Sequence, residues 1–295
     1  MKKILITGAS GFLGAKLYTI FGSDPTVIVG GTYSSKERSG LLEMDVTNRE
    51  QTMKIITGFH PDIVIHTVAL SDTDYCEEHK SEAERINYEG TVNIVAACQE
   101  IGARLDYIST IYVFNGEEEA YNEDMNPTPG NWYGKTKLKA EEVVQTLPRH
   151  GIYRSDKIFG FNGFDQENGY LSKIIKGEPF AVNADLLAHP IFADDYGHAI
   201  QRMQELDEVG ILHVAGPERI TKFELMKSLA KIIGKESVVQ GIRNKNQAAK
   251  RPEMSINTEK AKSLGITFTS LKEAYRIIGE QITRSKEKRL PNKSV

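Results

Sequence analysis

Ile4-Leu5-Ile6-Thr7-Gly8-Ala9-Ser10-Gly11-Phe12-Leu13-Gly14-Ala15 opens the chain and decides its fold. Ile4 to Thr7 is a short, largely β-branched apolar run and reads as a buried strand. It enters glycines at positions 8, 11 and 14, and a helical pattern follows from Ala15 to Phe21. Strand, glycine-rich turn and helix form the context of a dinucleotide-binding turn. The glycines let the backbone approach a pyrophosphate. The helix N-terminus offers it orphan N–H groups and a partial positive charge. The spacing is GxxGxxG rather than GxGxxG, so the flanking elements carry the inference.

The same alternation continues. Strands are predicted at Thr26–Thr32, Leu41–Met44, Asp62–His66, Arg104–Ser109 and Ile152–Arg154. Helices are predicted at Arg49–Gly58, with Thr47 or Asn48 as its cap, at Glu77–Ile101 and at Tyr133–Val144. Repeated βα units of this kind give an α/β fold with a doubly wound parallel sheet of the Rossmann type. Beyond about Phe159 the alternation breaks into glycine-rich loop, short strands and helices. Asp194-Asp195 are expected to cap a helix running to Leu206, and Thr221 one from Lys222 to Ile233. Strand-like residues at Ile211–Val214 follow the first of these. Further helices are expected at Glu259–Leu264 and Leu271–Thr283, with a frayed, charged tail from Lys286. The division expected is a dinucleotide-binding domain over 1–158 that regains about 191–214. A smaller C-terminal α/β lobe over 159–190 and 215–295 would close over it and bind substrate.

Bulk properties exclude several classes. The 295 residues carry a net charge of −3, which signals no basic face for nucleic acid. Two cysteines, Cys76 and Cys98, are too few for a disulfide framework or a metal cluster, and a reducing cytoplasmic home fits them. The apolar run at the N-terminus is too short for a signal peptide, and no 18-residue apolar stretch suggests a membrane span.

Candidate chemistry gathers at the carboxyl ends of the predicted strands, where ligands sit in open α/β sheets. After the second strand comes Thr32-Tyr33-Ser34-Ser35-Lys36, with Arg38 beyond and no carboxylate to bind a ribose 2′-hydroxyl. Hydroxyls and a cation favour NADP(H), with NAD(H) the alternative. Asp45-Val46 after the third strand is placed to meet the adenine. Val68-Ala69 after the fourth is small enough for a cofactor to lie across the strand ends. His66 reads as a core-edge residue. Ser109-Thr110 arrives at the end of the fifth. Tyr133 and Lys137 lie four apart and so share a helix face. Alone, that spacing describes any amphipathic helix. Beside a dinucleotide turn it suggests a phenol whose pKa a neighbouring ammonium lowers from near 10, as general acid–base catalysis needs.

Taken in order, these features resemble the extended short-chain dehydrogenase/reductase family, specifically its dTDP-4-dehydrorhamnose reductase (RmlD-like) branch. Ser109-Thr110-Ile111-Tyr112-Val113-Phe114-Asn115-Gly116 is similar to that branch's STDYVFDG. Tyr133-Gly134-Lys135-Thr136-Lys137-Leu138 with Glu141 resembles YGxxKLxGE, and Arg251-Pro252 with Ser255-Ile256-Asn257-Thr258 resembles RPxxxxLDT. The resemblance implies that Tyr133 protonates a keto oxygen and Thr110 hydrogen-bonds it. Lys137 would hold the nicotinamide ribose and depress the tyrosine pKa. The cofactor would rest on Gly8, Ser10, Gly11, Phe12, Leu13, Gly14, Tyr33, Ser34, Ser35, Lys36, Asp45, Val46, Val68, Ala69, Asn87, Ser109, Tyr133 and Lys137. Hydride would pass to C4 of a nucleotide-diphosphate keto-sugar, and no metal-ligating residues are singled out. A homodimer paired through the helices of 77–101 and 131–147 is implied. Three departures lie near the expected substrate pocket. Ile111 replaces an Asp, Ser155-Asp156-Lys157 replaces Thr-Ser-Trp, and His189-Pro190-Ile191 replaces a Pro-Thr pair. They leave open a different keto-sugar, or a non-catalytic NADP-binding regulatory subunit resembling that of methionine adenosyltransferase; an NAD-dependent nucleotide-sugar epimerase or dehydratase is a further alternative.

Overall fold

A computed structural model describes residues 1–118, 120–163, 170–243 and 255–289. Seven strands form one sheet: β1 (Lys2–Thr7), β2 (Val27–Tyr33), β3 (Leu42–Glu43), β4 (Ile63–His66), β5 (Arg104–Thr110), β6 (His150–Ser155) and β7 (Gly210–His213). Their order is β7-β6-β5-β4-β1-β2-β3, and every neighbouring pair is parallel. The order reverses between β1 and β4, where Ile4 pairs with both Val29 and Ile63. A crevice outside the strand ends opens at such a reversal.

The apolar run of β1 is divided between two cores because successive side chains alternate across a sheet. Ile4 and Ile6 pack with Leu17 and Phe21 of α1 (Phe12–Gly22). Tyr196, Ile200 and Met203 of the helix Ala193–Glu205 complete that face. Leu5 faces the other way, into Val64, Ile94, Leu105, Ala140, Val144 and Ile152. Burial on both faces is why parallel strands are apolar throughout.

Segment 193–213 runs along the first layer as a helix and returns to the sheet edge as β7. A separate core, with Phe159, Ile174, Phe180, Leu225, Leu229 and Ile278, gathers the remaining C-terminal elements. There Phe180–Asn183 pairs with Val239–Ile242, and Ile158–Phe159 with Ile191–Phe192.

Capping agrees with expectation at two helices and departs at a third. Asn48 accepts from Gln51 N–H at the start of α2 (Arg49–Phe59). Thr221 and Glu224 form a reciprocal capping box. The Asp194-Asp195 pair does not cap its helix; Phe192 holds the cap position with no side-chain bond. Asp195 instead accepts from the N–H and Oγ1 of Thr269, and Asp194 pairs with Lys16 at 2.8 Å. Both still favour the helix N-terminus as charges in its first turn.

The single helix expected over Glu77–Ile101 is three pieces and a π-turn. Thr73–Glu78 is capped by Asp72, Lys80–Glu84 follows a break at His79, and Arg85–Glu89 is a π-turn leading into α3 (Gly90–Ile101). The last helix continues to Arg289, past the predicted Thr283, so Lys286 to Arg289 are helical where a frayed tail was expected. Arg251-Pro252 lies outside the described residues.

One buried ion pair ties the sheet to the helix that carries the candidate chemistry, α4 (Trp132–Val144). Arg154 on β6 donates to Glu141 on α4 through Nη2 at 2.7 Å and Nε at 3.0 Å, with both side chains almost fully enclosed. Removing one partner strands the other charge in a dry site. Glu141→Ala is expected to lower stability by about 3–5 kcal/mol. Adding Arg154→Met should return much of it, and urea unfolding of the two variants measures the difference.

Candidate active site

The first βα turn is shaped by close backbone approach. Gly8 has φ 72°, a conformation that disfavours a side chain. A Cβ on Gly14 would stand 2.2 Å from the Gly8 carbonyl oxygen. Ala9 N–H donates to Thr32 O at 2.7 Å, which locks the turn to the end of β2. The N-terminus of α1 has Gly11 as its cap residue, no side-chain cap bond and no carboxylate in its first turn. Its amides and partial positive charge therefore have no side-chain anion in place, and they fit a diphosphate.

These residues border a crevice of about 500 Å³. Gly8, Ser10, Gly11, Phe12, Leu13 and Gly14 line it beside Tyr33, Ser34 and Ser35, with Asp45, Val46, Val68 and Ala69 opposite. Lys36 is exposed and is not among the lining residues. Arg85 is, and its guanidinium donates to Thr47 Oγ1 at 2.9 Å. Sequence reading passed over Arg85 because it falls among Glu and Lys residues that read as a solvated helix face. The π-turn at Arg85–Glu89 accompanies its place at the crevice, and such turns often mark functional sites.

Asn87 does not line the crevice either. It is buried, accepting from Leu70 N–H at 2.7 Å and donating to Leu70 O and to Thr136 Oγ1, both at 3.0 Å. It thus joins the loop after β4 to α4, between Tyr133 and Lys137. Ser109 is likewise occupied, since its hydroxyl donates to Glu141. Both residues hold the frame of the site with the side-chain groups that were expected to meet a cofactor. His66 is fully enclosed between Thr7 at 2.6 Å and Thr91 at 3.3 Å, and burial keeps it neutral, with its pKa lowered to about 3.

Thr110, Tyr133 and Lys137 come together at the end of β5, all buried. Gly134 makes this possible. A Cβ there would stand 2.0 Å from the Tyr112 carbonyl oxygen, so only glycine lets the first turn of α4 lie against the strand end. Asn131 caps that turn by accepting from Gly134 N–H at 2.8 Å. The Tyr133 ring meets Tyr112 edge-on at 6.2 Å.

The electrostatics differ from the expectation for Tyr133 and Lys137. Burial pushes the Tyr133 phenol up to about 12, while the Lys157 ammonium and the Thr110 hydroxyl pull it back. Lys137 Nζ instead donates to Ile108 O at 2.7 Å and lies 4.0 Å from the Tyr107 ring centre. Burial lowers its pKa to about 7, with Glu141 opposing. A shared helix face brings two side chains alongside each other; the flexible lysine stem determines where the amine ends. Among the described residues no group of three or more His, Cys, Asp or Glu is placed to hold a metal ion.

Residues 1–282 match the family described as RmlD substrate binding domain. The chain belongs to that family. A dTDP-4-dehydrorhamnose reductase from Bacillus anthracis, solved in complex with NADP, superposes with a TM-score of 0.81 at 28% identity, covering 95% of this chain and 99% of that one. A hypothetical dTDP-4-dehydrorhamnose reductase from Sulfolobus tokodaii is 32% identical, with a TM-score of 0.75 over 89% of this chain and 94% of that one. Methionine adenosyltransferase 2 subunit beta from Danio rerio is 27% identical over 239 residues, 78% of this chain and 73% of that protein.

Helix packing at the RmlD-family Tyr-Gly pair yields a direct test. Gly134→Ala forces a methyl into backbone and is expected to cost at least the roughly 1–3 kcal/mol of an overpacked core. Gly58→Ala, with nothing within 4 Å of its added Cβ in α2, should instead stabilise by about 0.5–1 kcal/mol. Thermal unfolding of the two variants beside the parent separates close approach from helix propensity.

Proposed function

We propose that the chain is an NADPH-dependent reductase of a nucleotide-linked 4-keto-6-deoxy sugar, similar to dTDP-4-dehydrorhamnose reductase. The observation that carries this reading is the placement of Thr110 and Tyr133, both buried, at the carboxyl edge of the sheet whose first βα turn presents an uncapped helix. The nicotinamide, when bound, supplies the hydride. The amides of Phe12 and Leu13 would hold its pyrophosphate, and Ser34 and Ser35 would lie against the adenosine ribose. Thr110 and Tyr133 would receive the sugar carbonyl oxygen between them, Tyr133 giving the proton as charge develops there. A phenol with a high pKa stays protonated at neutral pH, as a proton donor must. Enclosure of the pair keeps bulk water from competing for that proton. Lys137, with a pKa lowered to about 7 and its Nζ on the Ile108 carbonyl, lies close enough to the sheet edge to meet a nicotinamide ribose. The C-terminal lobe would bind the nucleotide-sugar.

The similarity to a methionine adenosyltransferase subunit favours a second reading, a nucleotide-binding subunit without turnover. An NADPH-oxidation screen over dTDP-, UDP- and GDP-linked 4-keto sugars separates the two. Under the reductase reading, Tyr133→Phe is expected to lower kcat by roughly 10²–10⁴-fold in that assay. Near-parental turnover in the variant would remove Tyr133 from the chemistry, and oxidation of NADPH by none of the sugars would favour the second reading.

Ser34→Asp tests cofactor choice. A carboxylate beside the ribose repels a 2′-phosphate, and like charges brought together cost enough to move the NADPH-to-NADH ratio of kcat/KM by tenfold or more. An unchanged ratio would place the discriminating residues elsewhere, with Arg85 the next to test.

A further inference from the structure

We infer that Arg85 is a cofactor-binding residue whose guanidinium covers the adenine of a dinucleotide bound at the glycine turn. Among the described residues lining the crevice, Arg85 is the one cation and Asp45 the one carboxylate. A single side chain joins the two. Thr47 gives its hydroxyl proton to Asp45 Oδ1 at 2.8 Å and accepts from Arg85 Nη1 at 2.9 Å. Thr47 N–H donates to the same carboxylate oxygen at 2.9 Å. A hydroxyl has one proton to give and lone pairs to receive, and this one uses both. Carboxylate and guanidinium are thereby tied to one fixed point.

The π-turn Arg85–Glu89 brings Arg85 to this place. Gly90 N–H donates to Arg85 O, five residues back, and the start of α3 lies against the turn after β3. A Cβ on Gly90 would stand 2.8 Å from Val46 Cγ2, so the approach leaves no room for a side chain. One turn further along α3, Asn93 Nδ2 donates to Val46 O at 2.9 Å. From α2, Gln51 Oε1 accepts from Asp45 N–H at 2.8 Å. Two helices therefore fix the Asp45–Thr47 turn, and Arg85, exposed at the crevice rim, extends over it from the same frame.

A guanidinium here has two parts of a dinucleotide within its chemistry, the purine and a 2′-phosphate. The relay favours the purine. A phosphate dianion on Arg85 would stand one hydroxyl away from the Asp45 carboxylate, and like charges that close are costly. A purine is neutral and planar. Its exocyclic N–H groups suit the carboxylate, and guanidinium planes stack on its π face. Val46, Val68 and Ile86 give the crevice an apolar lining for the rest of the ring. The ribose 2′ position is then left to the Tyr33-Ser34-Ser35 wall.

The inference rests on the cofactor part of the reductase reading and not on turnover, so binding alone tests it. NADPH and NADH are titrated by their fluorescence, and adenosine, which carries no phosphate, is titrated as a competitor of NADH. Arg85→Met is expected to weaken all three by about tenfold, as loss of a cation from a π face does. Arg85→Lys should recover little of that, because an ammonium has no plane to stack. Arg85 is exposed, so the unfolding midpoint without ligand should stay at the parental value in both variants. A loss confined to NADPH, or full rescue by lysine, would put Arg85 on a phosphate and overturn the inference. Unchanged affinity for adenosine in Arg85→Met would overturn it as well. Parent protein that binds both dinucleotides but reduces no keto-sugar would count against the reductase reading alone, whereas parent protein that binds neither would overturn both.

Discussion

Holding the Tyr133 phenol and the Lys137 amine out of water within one turn of helix is costly, and much of the local architecture answers that cost. A lysine brought from 10.5 to about 7 has lost on the order of several kcal/mol of preference for its charged form. The surroundings do not cancel this with an adjacent carboxylate. They satisfy the amine with one backbone carbonyl and the face of Tyr107, and bury the phenol beside Tyr112. The Arg154–Glu141 pair then fixes α4 against β6, with the Ser109 hydroxyl on the same carboxylate. Asn87 joins α4 to the loop after β4. Most of these polar groups already have a partner before any ligand arrives, with Arg154 Nη1 and the Tyr107 hydroxyl as buried exceptions.

The glycine turn and the phenol belong to one design although they border different spaces. The crevice of about 500 Å³ fits the adenosine and diphosphate portion of a dinucleotide. Tyr133, Lys137 and Thr110 are enclosed apart from it, across the Ala69–Ser71 loop that Asn87 secures. A bound dinucleotide running over Val68 and Ala69 would bring its nicotinamide toward them, along the strand ends where the sheet order reverses. Gly8 and Gly14 at one end and Gly134 at the other serve the same purpose, each letting backbone approach backbone where a Cβ has no room.

Much of this was legible in the sequence. Parallel strands buried on both faces are continuous apolar runs, so Ile4–Thr7 and Asp62–His66 announce themselves, and three glycines after the first of them mark the turn. The glycine-turn, Ser34-Ser35, Asp45-Val46 and Val68-Ala69 positions were readable because each follows directly on a strand end. Less local features were hidden. The break at His79 and the π-turn at Arg85–Glu89 insert too little into the apolar period to be seen, so Arg85 looked like a surface charge. The four-residue spacing of Tyr133 and Lys137 gave their common face but not the direction of a flexible amine.

The central claim is that a nicotinamide cofactor bound at the glycine turn delivers its reactive carbon to the Thr110–Tyr133 pair. A crystal structure of the NADPH complex measures this most directly. The account predicts the diphosphate on the amides of Phe12 and Leu13 and the nicotinamide ring facing the Tyr133 hydroxyl. Between ring and hydroxyl there should be room for a carbonyl oxygen about 3 Å from the phenol. A nicotinamide turned away from Tyr133, or a diphosphate bound elsewhere on the molecule, would contradict it.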